Sequence, residues 1–452
     1  MTTVDLLIVG AGPAGMAAAV EAAARGLSVL VLDEALAPGG RIWQALETRG
    51  DKDPDDAPGL ALIKAFRSAT VDARFRATVW AIEPDGTVYW SEAGQARGIQ
   101  ARQILLATGT TERPLPIPGW TLPGVMTVGA AQIAMKTGGL VPEGAVWLAG
   151  QGPLLLLYAV QALAAGGEIA GIIDLSPPRS RWRTLRQLPG ALTAWPDLQK
   201  GLQWRRTIAR AKVRWVRASE LHAHGIEALT SISFTQDVRR LEEPAETLLL
   251  HDGVIPSVQL SRALGCAHHW NAAQSCWQPT TDRWGQSSLP QVLIAGDGAG
   301  IGGALAAVAG GRIAALAAAA TLGRIDAATR DAAAGPCFAE RHRHRAIRPL
   351  LDALYPPHPA DLLDTTLVCR CEEVSAQAVR DAAALGCRGL NQLKAYTRCG
   401  MGPCQGRMCA PTAARVLATA WGIPVTDIEP LRTRFPTKPV SVGELAALQT
   451  PE

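Results

Sequence analysis

The chain has 452 residues, 48% hydrophobic and 19% charged. That is an ordinary globular composition; it excludes bulk disorder and leaves room for about three domains. The 44 basic residues nearly balance the 40 acidic ones, giving a net charge of +4, too even to mark a nucleic-acid surface.

The N-terminal Met1-Thr2-Thr3-Val4-Asp5 leads directly into Leu6-Leu7-Ile8-Val9. Neither the basic segment nor the cleavage site of a signal peptide is there, so a cytoplasmic protein is expected. Residues 5–10 read as a buried parallel strand. Gly10-Ala11-Gly12-Pro13-Ala14-Gly15 follows as GxGxxG, opening an Ala-rich helix over residues 13–25 that Gly26 caps. The first Gly permits the tight turn, the second lets backbone approach a pyrophosphate, and the third lets helix and strand pack. The diphosphate then meets the helix N-terminus. Val29-Leu30-Val31-Leu32 is the second strand. It ends at Asp33, placed to accept hydrogen bonds from a ribose; Glu34 beside it is the alternative, and Asp33 is preferred.

Leu105-Leu106-Ala107-Thr108-Gly109 is an apolar strand ending in a small-residue turn. A second dinucleotide-type turn, Gly150-Gln151-Gly152-Pro153-Leu154-Leu155, follows a strand at 145–149, with Leu155 in place of the third Gly. Asp174 ends the next strand, in register with Asp33, and would suit NAD(H) over NADP(H); Arg179, Arg181 and Arg183 blur that choice. Three outcomes stay open for this turn: NAD(P)H, another adenine nucleotide, or a fold kept without its ligand.

Leu293-Ile294-Ala295-Gly296-Asp297 leads into Gly298, Gly300, Gly302 and Gly303. Residues 304–322 are long and apolar enough to span a membrane, but their Ala/Gly content and Arg312 favour a packed core helix. No transmembrane segment is expected, and peripheral membrane contact is left open. The run Arg341-His342-Arg343-His344-Arg345 reads as the solvated face of a helix, and Leu354-Tyr355-Pro356-Pro357-His358-Pro359 as a domain boundary.

Nine cysteines are unevenly placed. Cys266, Cys276 and Cys337 are scattered, and Cys266, His268, His269 and Cys276 lack metal-knuckle spacing. Six others, Cys369, Cys371, Cys387, Cys399, Cys404 and Cys409, crowd one stretch. One cluster in a long chain argues for a metal or redox site over a disulfide scaffold. Cys369 and Cys371 form CxC, and Cys404 and Cys409 form CxxxxC; four thiolates can hold a 2Fe–2S cluster or a zinc ion, and CxC is less typical of zinc. Cys399 and Cys404 are also spaced CxxxxC. Gly400, Gly402 and Gly406 would free backbone amides for the sulfurs.

These segments resemble known families. The 105–109 and 293–297 segments are similar to the ATG and GD segments of the two-dinucleotide-fold flavoprotein reductases. That resemblance implies FAD at the first turn, with Thr108, Gly109, Gly296 and Asp297 near the flavin and Asp297 on its ribityl chain. It also implies that the helix after Gly303 points at the flavin pyrimidine. Pro38-Gly39-Gly40-Arg41 would wrap the flavin end, and the backbone of Val79 would meet the adenine. The disulfide reductases of that class need a cysteine pair beside the flavin, and no cysteine precedes Cys266, so disulfide reduction is not expected.

The C-terminal cysteines resemble the bacterioferritin-associated-ferredoxin-like 2Fe–2S domain. That selects Cys369, Cys371, Cys404 and Cys409 as ligands, through the GMGxCQGxxC arrangement, and leaves Cys399 and Cys387 as bystanders. The segments Glu112-Arg113-Pro114-Leu115-Pro116-Ile117-Pro118-Gly119-Trp120 and Gly150-Gln151-Gly152-Pro153-Leu154-Leu155-Leu156-Leu157, with these cysteines, resemble the α (A) subunits of the opine oxidase and hydroxyproline/proline dehydrogenase family. The B subunit of hydrogen cyanide synthase belongs to the same group, in which Leu155 is usual.

The resemblance implies an FAD- and 2Fe–2S-containing electron-transfer subunit of a heteromeric oxidoreductase acting on CH–NH donors. An amino-acid-oxidase-like flavin subunit would oxidise the amine, and a small 2Fe–2S ferredoxin-like subunit would join it. No catalytic base or nucleophile is expected on this chain. A self-sufficient NAD(P)H-dependent reductase with the cluster as outlet is one alternative; a non-enzymatic assembly subunit with structural zinc is the other. The expected architecture is α/β, with two Rossmann-like dinucleotide domains, one inserted in the other, and a small helical iron–sulfur domain. Its divisions are 1–118 and 255–354 for the FAD domain, 119–254 for the NAD(P)-type domain, 355–421 for the cluster domain and 422–452 for an extended tail.

Overall fold

A computed structural model describes residues 3–50, 55–176, 181–359 and 361–448. The strand Thr3–Val9 lies in the middle of a parallel sheet, between Val29–Asp33 and the second half of Gln95–Leu106. Asp72–Phe75 extends one side and Val292–Ile294 the other. Leu6, Leu7 and Ile8 are fully buried, as a strand covered on both faces requires. Thr87–Glu92 pairs antiparallel with the first half of Gln95–Leu106, and Ala77–Ile82 pairs antiparallel with Thr87–Glu92.

One face of this sheet carries the helices Pro13–Ala24 and Ala304–Thr321. They cross closely because Gly311 has no side chain; a Cβ there would lie 2.0 Å from the Ala14 carbonyl oxygen. Among the described residues, Ala304–Thr321 is the one helix long and apolar enough to cross a membrane by length and composition. It is instead packed inside the protein, with Ala309, Ile313, Ala314, Ala315 and Leu316 fully buried.

The chain leaves this unit through Thr110–Glu112 and returns through Val254–Pro256, which pair antiparallel. Between them lies a parallel sheet in the order Arg214–Arg217, Gly171–Asp174, Val146–Gln151, Thr247–Asp252, Val125–Thr127. A three-stranded antiparallel sheet of Ser219–Gly225, Leu229–Gln236 and Arg239–Pro244 packs beside it. The α/β, Rossmann-like expectation therefore holds, and the inserted unit is visible as a separate sheet.

After the helix Arg348–Leu354 the chain forms a small hairpin, Leu367–Cys369 with Val374–Ser375. The helices Ala376–Ala384, Leu390–Thr397 and Ala410–Trp421 follow. Trp120 of the inserted unit donates its indole N–H to the Leu367 carbonyl (2.8 Å). The first part of the tail completes this C-terminal core: Ile428 is 1% exposed, and Glu429 bridges to Gly389. From about residue 432 the chain runs across the first unit, then forms the helix Val442–Ala446, whose start is capped by Ser441 and Glu444. Among its described residues, the tail expected to be extended carries short helices at Val425–Asp427 and Val442–Ala446 and is extended between them.

Candidate functional site

The first turn is built by close approach. A Cβ on Gly10, whose φ is +106°, would lie 2.5 Å from the Ala107 carbonyl oxygen; one on Gly15 would lie 1.8 Å from the Gly10 oxygen. At Gly12 the nearest atom to such a Cβ is Gly40 Cα, at 3.8 Å. The middle glycine therefore meets no side chain, only the Gly40 backbone, and Pro13 and Ala14 begin the helix behind it. The loop holding Gly40 and Arg41 is fastened over the turn by the Gly39 N–H on the Ala11 oxygen (2.9 Å).

Asp33 sits where the ribose acid is expected. Its carboxylate accepts the N–H groups of Ala11 (2.5 Å) and Ala35 (2.7 Å). Burial pushes its pKa up, against these two hydrogen bonds. Glu34 turns outward to Lys438 (2.7 Å) and Arg41 (4.0 Å). Val79 is buried in the strand Ala77–Ile82, just before a register shift in its ladder.

The 105–109 and 293–297 turns lie together. Thr108 donates its hydroxyl to the Ser257 oxygen (2.9 Å), and a Cβ on Gly298 would lie 3.2 Å from that hydroxyl. Gly296 lies against Ala14, joining this turn to the first helix. Asp297 accepts the N–H groups of Gly302 (2.8 Å) and Gly303 (2.9 Å), and burial pushes its pKa up. The helix Ala304–Thr321 starts directly after them. A cavity of about 400 Å³ opens here, lined by Gly296, Asp297, Gly300, Gly302, Arg341 and Arg345 among others. Arg345 of the basic run is exposed, while Arg341 is half-buried over the Phe338 ring.

The second turn has the same start and a different end. A Cβ on Gly150 would lie 1.8 Å from the His251 oxygen, so the tight turn is kept. Leu155 is 2% exposed and packs among Leu148, Ile172 and Leu249. The cleft beside Gly150, Gly152 and Asp174 is only about 30 Å³, walled by Leu155, Trp215 and Tyr355. Asp174 accepts the Ser176 N–H (2.9 Å). Arg179 lies outside the described residues, as do the side chains of Arg181 and Arg183.

Beneath this turn is a buried polar seam that the sequence did not signal. His251 Nδ1 meets Glu112 Oε1 (2.5 Å), and Glu112 Oε2 accepts the Gly129 N–H (2.9 Å). Arg113 faces Asp252 (3.8 Å), both nearly fully buried, and Gln151 donates to Asp252 (2.9 Å). These residues lie in or beside strands that look purely structural, so only their buried charge could have drawn notice.

The cysteines converge. The sulfurs of Cys369, Cys399 and Cys409, all buried, lie within 4.8 Å of one another. Cys371, which is exposed, and Cys404, two of the four expected ligands, lie outside this group of three; Cys404 neighbours Cys409 and Cys371 neighbours Cys404. Cys399, read from sequence as a bystander, therefore joins the group; the repeated CxxxxC spacing was the signal. Cys387 stays apart, its thiol on the Gly389 oxygen (3.4 Å).

The Cys409 thiol, with the N–H groups of Gly400, Glu372 and Cys371, brings the Cys369 pKa down to about 5. The Cys409 thiol and the Met408 and Gly406 amides bring that of Cys404 down to about 5. Cys409 itself is pushed up, and burial raises Cys371. Gly402 serves by close packing, since a Cβ there would lie 2.2 Å from that of Cys371. Thiolates with aimed amides are a donor set for a thiophilic metal or cluster. Elsewhere, His268 is held by Ser261 (3.0 Å) and the Cys266 oxygen (2.7 Å), inside ordinary packing.

Residues 4–137 match the model of the pyridine nucleotide-disulphide oxidoreductase family, and residues 364–449 that of the sarcosine oxidase A3 domain. The A subunit of opine oxidase from Agrobacterium tumefaciens is 43% identical over 462 residues, covering 98% of this chain and 92% of its own. The HcnB subunit of hydrogen cyanide synthase from Pseudomonas aeruginosa is 32% identical over 482 residues, covering 98% of each. L-proline dehydrogenase from P. horikoshii shares the fold with a TM-score of 0.72 at 19% identity, over 98% of this chain and 79% of that one. T. acidophilum thioredoxin reductase shares it with a TM-score of 0.53 at 18% identity, over 71% of this chain and 99% of that one.

Proposed function

Because the chain belongs to the family of the opine oxidase A and hydrogen cyanide synthase HcnB subunits, we propose that it is the electron-transfer subunit of a heteromeric dehydrogenase acting on the CH–NH bond of an amino acid or opine. The observation that carries the reading is the meeting of the Cys369, Cys399 and Cys409 sulfurs in the same chain as a first dinucleotide turn that keeps all three glycines. FAD is assigned to that turn and a 2Fe–2S cluster to Cys369, Cys371, Cys404 and Cys409, with Cys399 as a fifth thiol beside them.

FAD supplies two-electron exchange and the cluster one-electron transfer, so a chain holding both can join the two kinds of partner. With FAD bound, the amides of the first turn and the N-terminus of Pro13–Ala24 would hold the diphosphate, Asp33 would accept hydrogen bonds from the ribose, and the start of Ala304–Thr321 would favour negative charge on the reduced ring. Amine oxidation belongs to a partner subunit with its own flavin, and no general base is assigned here. A small ferredoxin-like subunit and a cytoplasmic location complete the proposal.

The water-sized second cleft counts against a self-sufficient NAD(P)H reductase. Metal, sulfide and flavin analysis of the purified chain, with an anaerobic absorption spectrum, tests the cofactors. Iron, sulfide and FAD are expected; zinc without iron would select the structural-zinc reading instead. Cys404→Ser or Cys409→Ser should lose the iron while the chain stays folded and still binds flavin when FAD is supplied in excess. Cluster loss in Cys399→Ala, with retention in Cys409→Ala, would reassign the ligand. Amine oxidation by the chain alone would contradict the division of labour.

A further inference from the structure

The tail and the cysteine loop meet on the first dinucleotide unit. Gln405 donates to the Pro436 oxygen (3.4 Å). Arg407 donates to the Cys404 oxygen (3.1 Å) with one end of its guanidinium and to the Thr437 oxygen with the other. Thr437 is 1% exposed and donates its N–H to the Trp80 oxygen (2.8 Å), one residue beyond Val79. Phe435 packs against the core that contains Val79 and Trp90. Lys438 holds Glu34, the neighbour of Asp33, at 2.7 Å. One extended segment therefore touches the strand assigned to the adenine, the ribose corner and the loop between two cysteines. Asp33 and Glu34 at that corner are faced by Arg41, Lys438 and, across the tail, Arg407.

We propose that residues 435–438 form the outer wall of the adenosine half of the first dinucleotide site, and that Arg407 and Lys438 couple that site to the cysteine centre. A bound dinucleotide and a loaded cluster then stabilise one another. The inference rests on the assignment of FAD and iron made above. The loop bearing Gln405 and Gly406 takes left-handed backbone at both residues, with φ of 48° and 79°. Filling the thiolates holds that loop in place, and the held loop presents Gln405 and Arg407 to the tail. A seated tail fixes Trp80 and neutralises Glu34, which would otherwise add a second negative charge beside a diphosphate ligand. Coupling of this kind acts equally in both directions at equilibrium.

The test uses the full-length protein. FAD is titrated into flavin-depleted protein, with the cluster intact and after anaerobic removal by a chelator, and affinity is read from flavin fluorescence quenching. Cluster removal should weaken FAD binding by roughly 5–150-fold, the usual span of such coupling. Lys438→Glu should keep its iron, weaken FAD and lose most of the dependence on the cluster. Arg407→Gln serves as the second variant, expected to lose the same dependence, if Lys438→Glu shows an altered circular dichroism spectrum. Equal FAD affinity with and without the cluster overturns the proposal, as does an undiminished cluster dependence in a folded variant. A wild-type chain that takes up neither FAD nor iron is a separate failure: it removes the cofactor assignment, and this proposal with it.

Discussion

The two dinucleotide turns begin alike and end differently. Gly10 and Gly150 both take positive φ, and a Cβ on either would strike a carbonyl oxygen of the neighbouring strand. The contrast lies at the third glycine position. Gly15 lets the first helix lie against Gly10, while Leu155 turns its side chain into the core of the second unit. A Cβ at Gly12 would meet no side chain within 4 Å, whereas one at Gly152 would lie 3.4 Å from the His251 ring, with Trp215 and Tyr355 in the same cleft wall. The Rossmann fold thus survives loss of the fingerprint, because a buried Leu can replace the helix–strand contact that Gly permits. The cleft left beside this turn by the described residues is narrow, about 30 Å³.

Exchanging the third residues breaks the comparison most sharply. Gly15→Leu would force a Cβ to within 1.8 Å of the Gly10 oxygen. Backbone cannot yield as a side chain can, so destabilisation at or above the usual ~1–3 kcal/mol for overpacking is expected, with loss of bound flavin. Thermal unfolding and flavin content of the purified variant measure both. In the other unit, Leu155→Ala removes a side chain that is 2% exposed, and about 2–5 kcal/mol of stability should go with it. Flavin content per folded chain should stay unchanged. A wild-type melting temperature for Gly15→Leu, or flavin loss in folded Leu155→Ala, would show that the two turns do not divide the work this way.

The first turn was legible because its rules are local. Strand, glycines, helix and Asp33 lie within about thirty residues, and Gly10 and Gly15 each answer a clash that the fold shows. The cysteine centre was legible in part: the crowding of Cys369, Cys371, Cys404 and Cys409 pointed to it. Spacing could not rank Cys399, since both CxxxxC readings fit a helix-flanked loop. The closing of the second cleft depends on Trp215 and Tyr355, which arrive from distant segments. The seat of Thr437 on Trp80 joins residues 357 apart, through chain with no periodicity to betray its path. Local steric grammar survives in sequence, whereas contacts between remote irregular segments leave no pattern.

The acids at the strand ends carry the comparison to smaller effects. Asp33 is raised by burial, so its ionised form penalises the empty fold. For a carboxyl whose folded pKa lies above its unfolded 3.8, that penalty is full above the folded pKa and is relieved as pH falls through it. Asp33→Asn should therefore leave flavin-free protein at least as stable at pH 7 and flatten its pH dependence on the acid side. It should also weaken FAD about tenfold, through loss of a charged hydrogen-bond acceptor for the ribose. Melting curves between pH 4 and 7 (about the carboxyl titration range) and FAD titrations read the two effects separately.

Asp174→Asn, made at the matching position in the inserted unit, should leave flavin content unchanged. Its carboxylate accepts the Ser176 N–H, which Asn can also satisfy, beside a narrow cleft. NADH added to either protein should leave the flavin oxidised. Rapid bleaching of the wild-type flavin by NADH, abolished in Asp174→Asn, would mean that the second cleft opens in solution. The difference between the two turns would then be one of gating rather than of loss.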